Sequence, residues 1–244
     1  MEPAEPRFIN QILYQPCVRR VVKRPGTGDD PYDYIYFTTL KFLCEYSTTP
    51  SPHEVATDGI HVTRVNQTTG LVVPWADGTQ IVSIVHMETD GFVFLGSGTM
   101  YIVSCSFPGT PGRTSIYRIA HGMLQSKVKN ANNQSLPIAA PNLHSVATRI
   151  LPWRAIHALN SMATSPDEKF LVIGQGAGCS WSTSCKGNVF AFELATNQLY
   201  KVATDMRNPT GLYFHSESTI LSGEIGVKPR VSHYLLVNHM GSDI

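Results

Sequence analysis

A polar turn, a short apolar strand and a glycine follow one another three times along this chain of 244 residues. The copies are Thr89-Asp90-Gly91-Phe92-Val93-Phe94-Leu95-Gly96, Ser165-Pro166-Asp167-Glu168-Lys169-Phe170-Leu171-Val172-Ile173-Gly174 and, more loosely, Ser216-Glu217-Ser218-Thr219-Ile220-Leu221-Ser222-Gly223. Runs this short, rich in Val, Ile, Tyr and Phe and punctuated by glycine and proline, read as β-strands joined by turns. No stretch holds a clean helical period. Thr148 to Met162 comes nearest, but Pro152 lies inside it and would break an internal hydrogen bond. The chain is therefore expected to be all-β.

Further strands are expected over Tyr34 to Tyr46 and Ile81 to Val85, with Gly91 to Gly96 and Met100 to Cys105 forming a hairpin around Ser97-Gly98-Thr99. After the second copy, Gly187 to Leu194, the turn Thr196-Asn197-Gln198 and Leu199 to Ala203 complete a unit of four strands. The terminal glycines lie 78 and then 49 residues apart, which fits two units and then one at the roughly 40 to 50 residues of a propeller blade. The expectation is a β-propeller of four-stranded blades, about five in this chain, because closure is how such units cover their strand edges. The alternative is a β-sandwich with long loops. One domain is expected over residues 1–244, and the Gly-, Pro-, Ser- and Asn-rich stretch from Pro108 to Asn142 reads as a long surface excursion.

With 42% hydrophobic and 15% charged residues the chain can build a core. Nineteen basic and eighteen acidic residues leave a formal net charge of +1, so no overall field favours nucleic acid or an anionic membrane. The apolar runs fall far short of the roughly 20 residues of a membrane-spanning helix. Met1-Glu2-Pro3-Ala4-Glu5-Pro6 lacks the basic start and apolar centre of a secretory signal. Of five cysteines, only Cys179 and Cys185 are close in sequence; they form either a disulfide or two buried thiols. Asn66-Gln67-Thr68 and Asn133-Gln134-Ser135 are triplets that accept N-linked glycans in a secretory compartment.

The chain carries no phosphate loop, no Cys-x-x-Cys pair, no His-Glu-x-x-His and no Gly-x-Ser-x-Gly elbow. Gly174-Gln175-Gly176-Ala177-Gly178 is glycine rich, but no helix follows it to hold a dinucleotide phosphate. It reads as a loop.

From His157 onward the order of residues has a different meaning. His157-Ala158-Leu159-Asn160 is followed, nine residues after the histidine, by Pro166-Asp167-Glu168-Lys169-Phe170-Leu171-Val172 and Gly174. Cys179 and Cys185, Gly187-Asn188-Val189-Phe190 and Arg207-Asn208-Pro209-Thr210-Gly211-Leu212 come next. Together they resemble the soluble glucose and sorbosone dehydrogenases over about residues 157–226. That resemblance implies a six-bladed propeller holding pyrroloquinoline quinone and calcium, with a small neutral sugar or alcohol as substrate and an extracellular or secretory setting. It implies that His157 is the general base, a task that suits an imidazole titrating near neutrality. Arg207 and Asn208 would face the quinone, the guanidinium offering a fork of donors. Gly226 and Val227 would present backbone carbonyls to calcium.

The chain departs from the family at Leu159-Asn160-Ser161 and at Thr210, where substrate and cofactor contacts are altered, and the later blades have no counterpart before Ile244. Val227-Lys228-Pro229-Arg230-Val231 stands where the family has an acidic run, and its positive charges would oppose a cation. The alternative function is a non-catalytic propeller that binds a protein or carbohydrate partner. A hydrolase using His157 ranks third, since no nucleophile is placed near it in sequence.

Overall fold

The computed structural model describes residues 18–26, 28–39, 59–73, 79–83, 87–106, 115–124, 138–139, 144–148, 159–175, 187–206, 209–216, 219–224 and 230–235. These residues are almost entirely β, with one helical turn at 121–124. They fall into two compact units, one of Met1–Thr89 with His121–Leu143, the other of Asp90–Ala120 with His144–Ile244.

The strands are β1 (Val18–Pro25), β2 (Tyr32–Thr39), β3 (Gly59–Asn66), β4 (Val72–Val73), β5 (Thr79–Ser83), β6 (Met87–Phe94), β7 (Met100–Ser106), β8 (Ser115–Ile119) and β9 (Ile138–Ala139). They continue as β10 (His144–Thr148), β11 (Leu159–Thr164), β12 (Phe170–Gln175), β13 (Gly187–Glu193), β14 (Leu199–Met206), β15 (Pro209–Phe214), β16 (Thr219–Glu224) and β17 (Arg230–Leu235).

The first unit holds sheet 1, an antiparallel run β1-β2-β3-β5 with β4 beside β3 and β9 parallel to β5. Its core is Ile35, Tyr36, Phe37, Ile60 and Val62, all buried, with His61 stacked on Phe37 at a centroid distance of 5.4 Å. One rim of β2 is polar and tightly paired. Lys23 Nζ lies 2.6 Å from Asp33, Gln67 donates to the same carboxylate at 3.1 Å, and the Tyr34 hydroxyl donates to Asp30 at 2.7 Å. The Arg64 guanidinium sits 4.5 Å from the centre of the Tyr32 ring.

The second unit holds three antiparallel meanders: sheet 2 (β6-β7-β8-β10), sheet 3 (β11-β12-β13-β14) and sheet 4 (β15-β16-β17). They stack face to face. Val93, Tyr101, Val103 and Ile116 of sheet 2 form one core with Met162, Leu171, Ile173, Phe190 and Phe192 of sheet 3. On the opposite face of sheet 3, Val172, Val189, Ala191, Ala203 and Met206 pack against Leu212, Phe214 and Ile220 of sheet 4. Successive side chains of a strand point to opposite faces, so β12 can bury Leu171, Val172 and Ile173 in turn only because it is covered on both. That is why its sequence reads as an uninterrupted apolar run.

Tight turns join the strands at one end. Gly98 takes a φ of 82°, within the left-handed region that glycine enters cheaply, at the β6–β7 hairpin. In the β11–β12 turn, Ser165 Oγ donates to Asp167 at 2.6 Å and accepts from the Phe170 amide at 2.9 Å. Glu168, held in the same turn, accepts from the Gly96 amide and so ties it to the β6–β7 turn.

Two sequence expectations are corrected here. The stretch from Pro108 to Asn142 is not an excursion throughout, because β8 lies within it and buries Ile116 and Ile119 fully between neighbouring strands. The three turn-strand-glycine copies are not equivalent either. The first falls on β6, the opening strand of its sheet, and the others on β12 and β16, the second strands of theirs. In a meander every strand follows a turn, so the motif marks strands without marking their rank.

Candidate functional site

The antiparallel registers bring one set of strand ends together in sheets 3 and 4. Leu159 at the start of β11 pairs with Gln175 at the end of β12, Gln175 with Asn188 near the start of β13, and Gly187 with Met206 at the end of β14. In sheet 4, Pro209 opens β15 opposite Glu224 at the end of β16, and Glu224 pairs with Arg230.

The two sheets meet along this edge. The buried Ser161 hydroxyl donates to the Pro209 carbonyl at 3.0 Å, and a Cβ on Gly174 would meet that same carbonyl at 2.8 Å. Glycine at 174 is therefore required by the approach of the neighbouring strand rather than by its own backbone angles. Beside it the Asn188 amide donates to Gln175 Oε1 at 3.1 Å, placing a paired set of amides at the end of β12 and the start of β13.

Three irregularities cluster at the same edge. The β11–β12 register shifts between Leu159 and Ser161, the β15–β16 register between Pro209 and Gly211, and the β13–β14 register, which slips again further in at Val189–Phe190, between Gly187 and Val189. The last shift coincides with Asp205, whose φ of 68° lies in the left-handed region. A non-glycine residue there costs about 1 kcal/mol, and bulges of this kind re-aim the residues beside them. Ordinary ladders carry on through the opposite ends of the same strands.

The expected site residues lie outside the described residues: His157, Arg207 and Asn208, Gly226 and Val227, as well as Cys179 and Cys185. Their nearest described neighbours in sequence are Leu159, Met206 with Pro209, and Glu224, all of which belong to this one edge. Among the described residues no group of three or more His, Cys, Asp or Glu side chains is placed to hold a metal ion. Sequence reasoning passed over the bulges, Asp205 and the Gln175–Asn188 pair. A bulge inserts one residue without any fixed residue type, so only the tolerance of Asp for left-handed angles hinted at position 205.

The fold thus defines a class, all-β protein of stacked antiparallel meanders. Compared with known proteins, the chain matches no family and no curated protein sequence. It is similar in fold to oligogalacturonate lyase in complex with manganese, at 13% identity and a TM-score of 0.48, covering 91% of this chain and 49% of that one. Drosophila semaphorin 2a aligns at 7% identity and a TM-score of 0.44, over 89% of this chain and 44% of that one. The endo-arabinase from Bacteroides thetaiotaomicron aligns at 7% identity and 0.34, over 88% and 73%. These neighbours have propeller-type folds. The chain spans about half the length of the first two.

Proposed function

We propose that the stacked meanders are blades of a β-propeller, about five in this chain and part of a six-bladed circuit, and that the bulged edge of sheets 3 and 4 is its working rim. The chain is then an oxidoreductase of the sugar or alcohol dehydrogenase type. The observation that carries this reading is the convergence of three register shifts at one edge, all inside the stretch 157–226 that resembles the quinoprotein family. Bulges concentrate where a side chain must be turned toward a ligand.

In this reading His157 takes the proton of the substrate hydroxyl. The quinone, when bound, supplies the two-electron acceptor. Arg207 and Asn208 would hold it, as hydrogen-bond donors to its carboxylates and carbonyls. Whether calcium fits rests on the carbonyls of Gly226 and Val227; against it stand Lys228 and Arg230, two cationic residues within four positions of Gly226. The metal is thus the weakest-fitting part of the family's equipment, and no step above is routed through it.

A second reading is favoured by a separate observation. Tyr213 on β15 is 65% exposed, the most exposed large hydrophobic residue among those described. In that reading a protein or carbohydrate partner packs on this single exposed ring, without catalysis.

The deciding experiment is calorimetric titration of the folded protein with pyrroloquinoline quinone in excess calcium, followed by dye reduction with a panel of aldoses. Binding with turnover is expected, and His157→Ala should abolish turnover while keeping the quinone affinity. A folded sample that binds no quinone overturns the dehydrogenase reading.

A further inference from the structure

The β3–β4 connection is built around Asn66, the first residue of the triplet Asn66-Gln67-Thr68. Its side-chain Oδ1 accepts from the backbone amides of Thr68 at 3.0 Å and Thr69 at 2.9 Å. Its own backbone closes the loop, the amide donating to the Leu71 carbonyl and the carbonyl accepting from Gly70, both at 2.9 Å. Gly70 takes a φ of 67°, and a Cβ built on it would meet no atom within 4 Å, so the tip of the turn faces open space. Gln67 anchors the other side of the turn through its backbone amide to the Pro31 carbonyl at 2.8 Å and its side chain to Asp33.

Asn66 is half-buried; with Oδ1 taken by two backbone donors, the amide nitrogen Nδ2 is the end of its side chain that the turn does not use. It makes no hydrogen bond to any described residue. Gln67, Thr68, Thr69 and Gly70 are all exposed. The Thr68 hydroxyl, which an acceptor triplet requires, takes no part in holding the turn, where only the Thr68 backbone amide is used.

From this we infer that Asn66 is an N-glycosylation site, accepting an oligosaccharide from a lipid-pyrophosphate donor when the chain passes through a secretory compartment. The bond that forms joins Nδ2 to C1 of the first sugar. The bond that breaks joins that C1 to the donor pyrophosphate, which leaves with the lipid, and Nδ2 gives up one proton. No oxidation or reduction is involved. The glycan would project from a hairpin tip that the first unit's core does not use, so the fold accommodates it without rearrangement.

The test is expression of the full chain behind a secretion leader in cultured eukaryotic cells, with peptide mapping before and after glycan removal by a peptide-N-glycosidase. The expected result is a glycan on Asn66, with conversion of that residue to Asp on release. Thr68→Ala should abolish it and leave the melting temperature unchanged, because the turn keeps its backbone bonds; Thr68→Ser should retain it. Asn66→Gln would also remove the glycan, but it loses the turn's two side-chain bonds, so Thr68→Ala is the decisive variant. Secreted, folded protein whose Asn66 maps as unmodified, or glycan retained in Thr68→Ala, overturns the assignment. Neither outcome bears on the dehydrogenase reading.

Discussion

Asp33 shows how one residue in this fold couples pairing to pH. The Lys23 ammonium beside it, helped by the Gln67 amide, holds its carboxyl below the usual carboxylate range against the opposing pull of burial. A carboxyl whose folded pKa is depressed stabilises the fold above its unfolded value of about 3.9. That contribution is lost as the pH falls through the folded value. The partner lysine is 67% exposed, so solvent screens the pair and the effect is modest. Melting of the wild type and Asp33→Asn should therefore differ at pH 7 and converge as the pH is lowered from about 5 into the acid range. A difference that stays constant with pH would show that shape and hydrogen bonding, not charge, are what the pair contributes. The sequence announced none of this. Lys23, Asp33 and Gln67 are brought together by the β1–β2 and β2–β3 registers, which no local pattern encodes.

At the level of strands, much was legible and the reason is periodicity. The β6–β7 hairpin, β12 and the β13–β14 hairpin fall where the turn signals and apolar runs put them. By contrast β8 hid in a Gly-, Pro- and Ser-rich setting, since five residues with an arginine among them give too little signal against such flanks. β11 hid for another reason: Leu159-Asn160-Ser161-Met162-Ala163-Thr164 has few β-branched residues, and its place is fixed by packing against β12 and β15. Gly174 was read correctly as the end of a strand, but its cause lies in a neighbouring sheet. A methyl group there would press on the Pro209 carbonyl and the Ser161 hydroxyl, both 2.8 Å from the Cβ position. Gly174→Ala should therefore destabilise the fold by about 1–3 kcal/mol, the usual range for overpacking. Thermal or denaturant unfolding measures it, and Gly223→Ala, whose Cβ would approach nothing closer than 3.9 Å, is the control. Equal losses in both variants would mean that the sheets are not held as closely as Ser161 and Pro209 require.

On the scale of the whole molecule, the sequence pointed to repeating antiparallel units but not to the way the chain divides. The segment after β8 carries β9, which adds to sheet 1 as a parallel strand, and the chain then returns to sheet 2 through β10. A unit assembled from two separated stretches leaves no composition boundary to read. Within the second unit the order of sheets has a consequence for local stability, because sheet 3 carries an apolar core on each of its faces. To expose the amides of Val172 and Ala191, which are paired across β12 and β13, both cores must open. β17 is an edge strand of the described part of sheet 4, with a ladder partner on one side, β16. Hydrogen exchange should therefore be slow in β12 and β13, close to the rate set by global unfolding of this unit, and faster by orders of magnitude in the edge strand β17. If β13 instead exchanged as quickly as β17, sheets 2 and 4 would not be closing over sheet 3 in solution, and the rim formed where sheets 3 and 4 meet would lose its structural support.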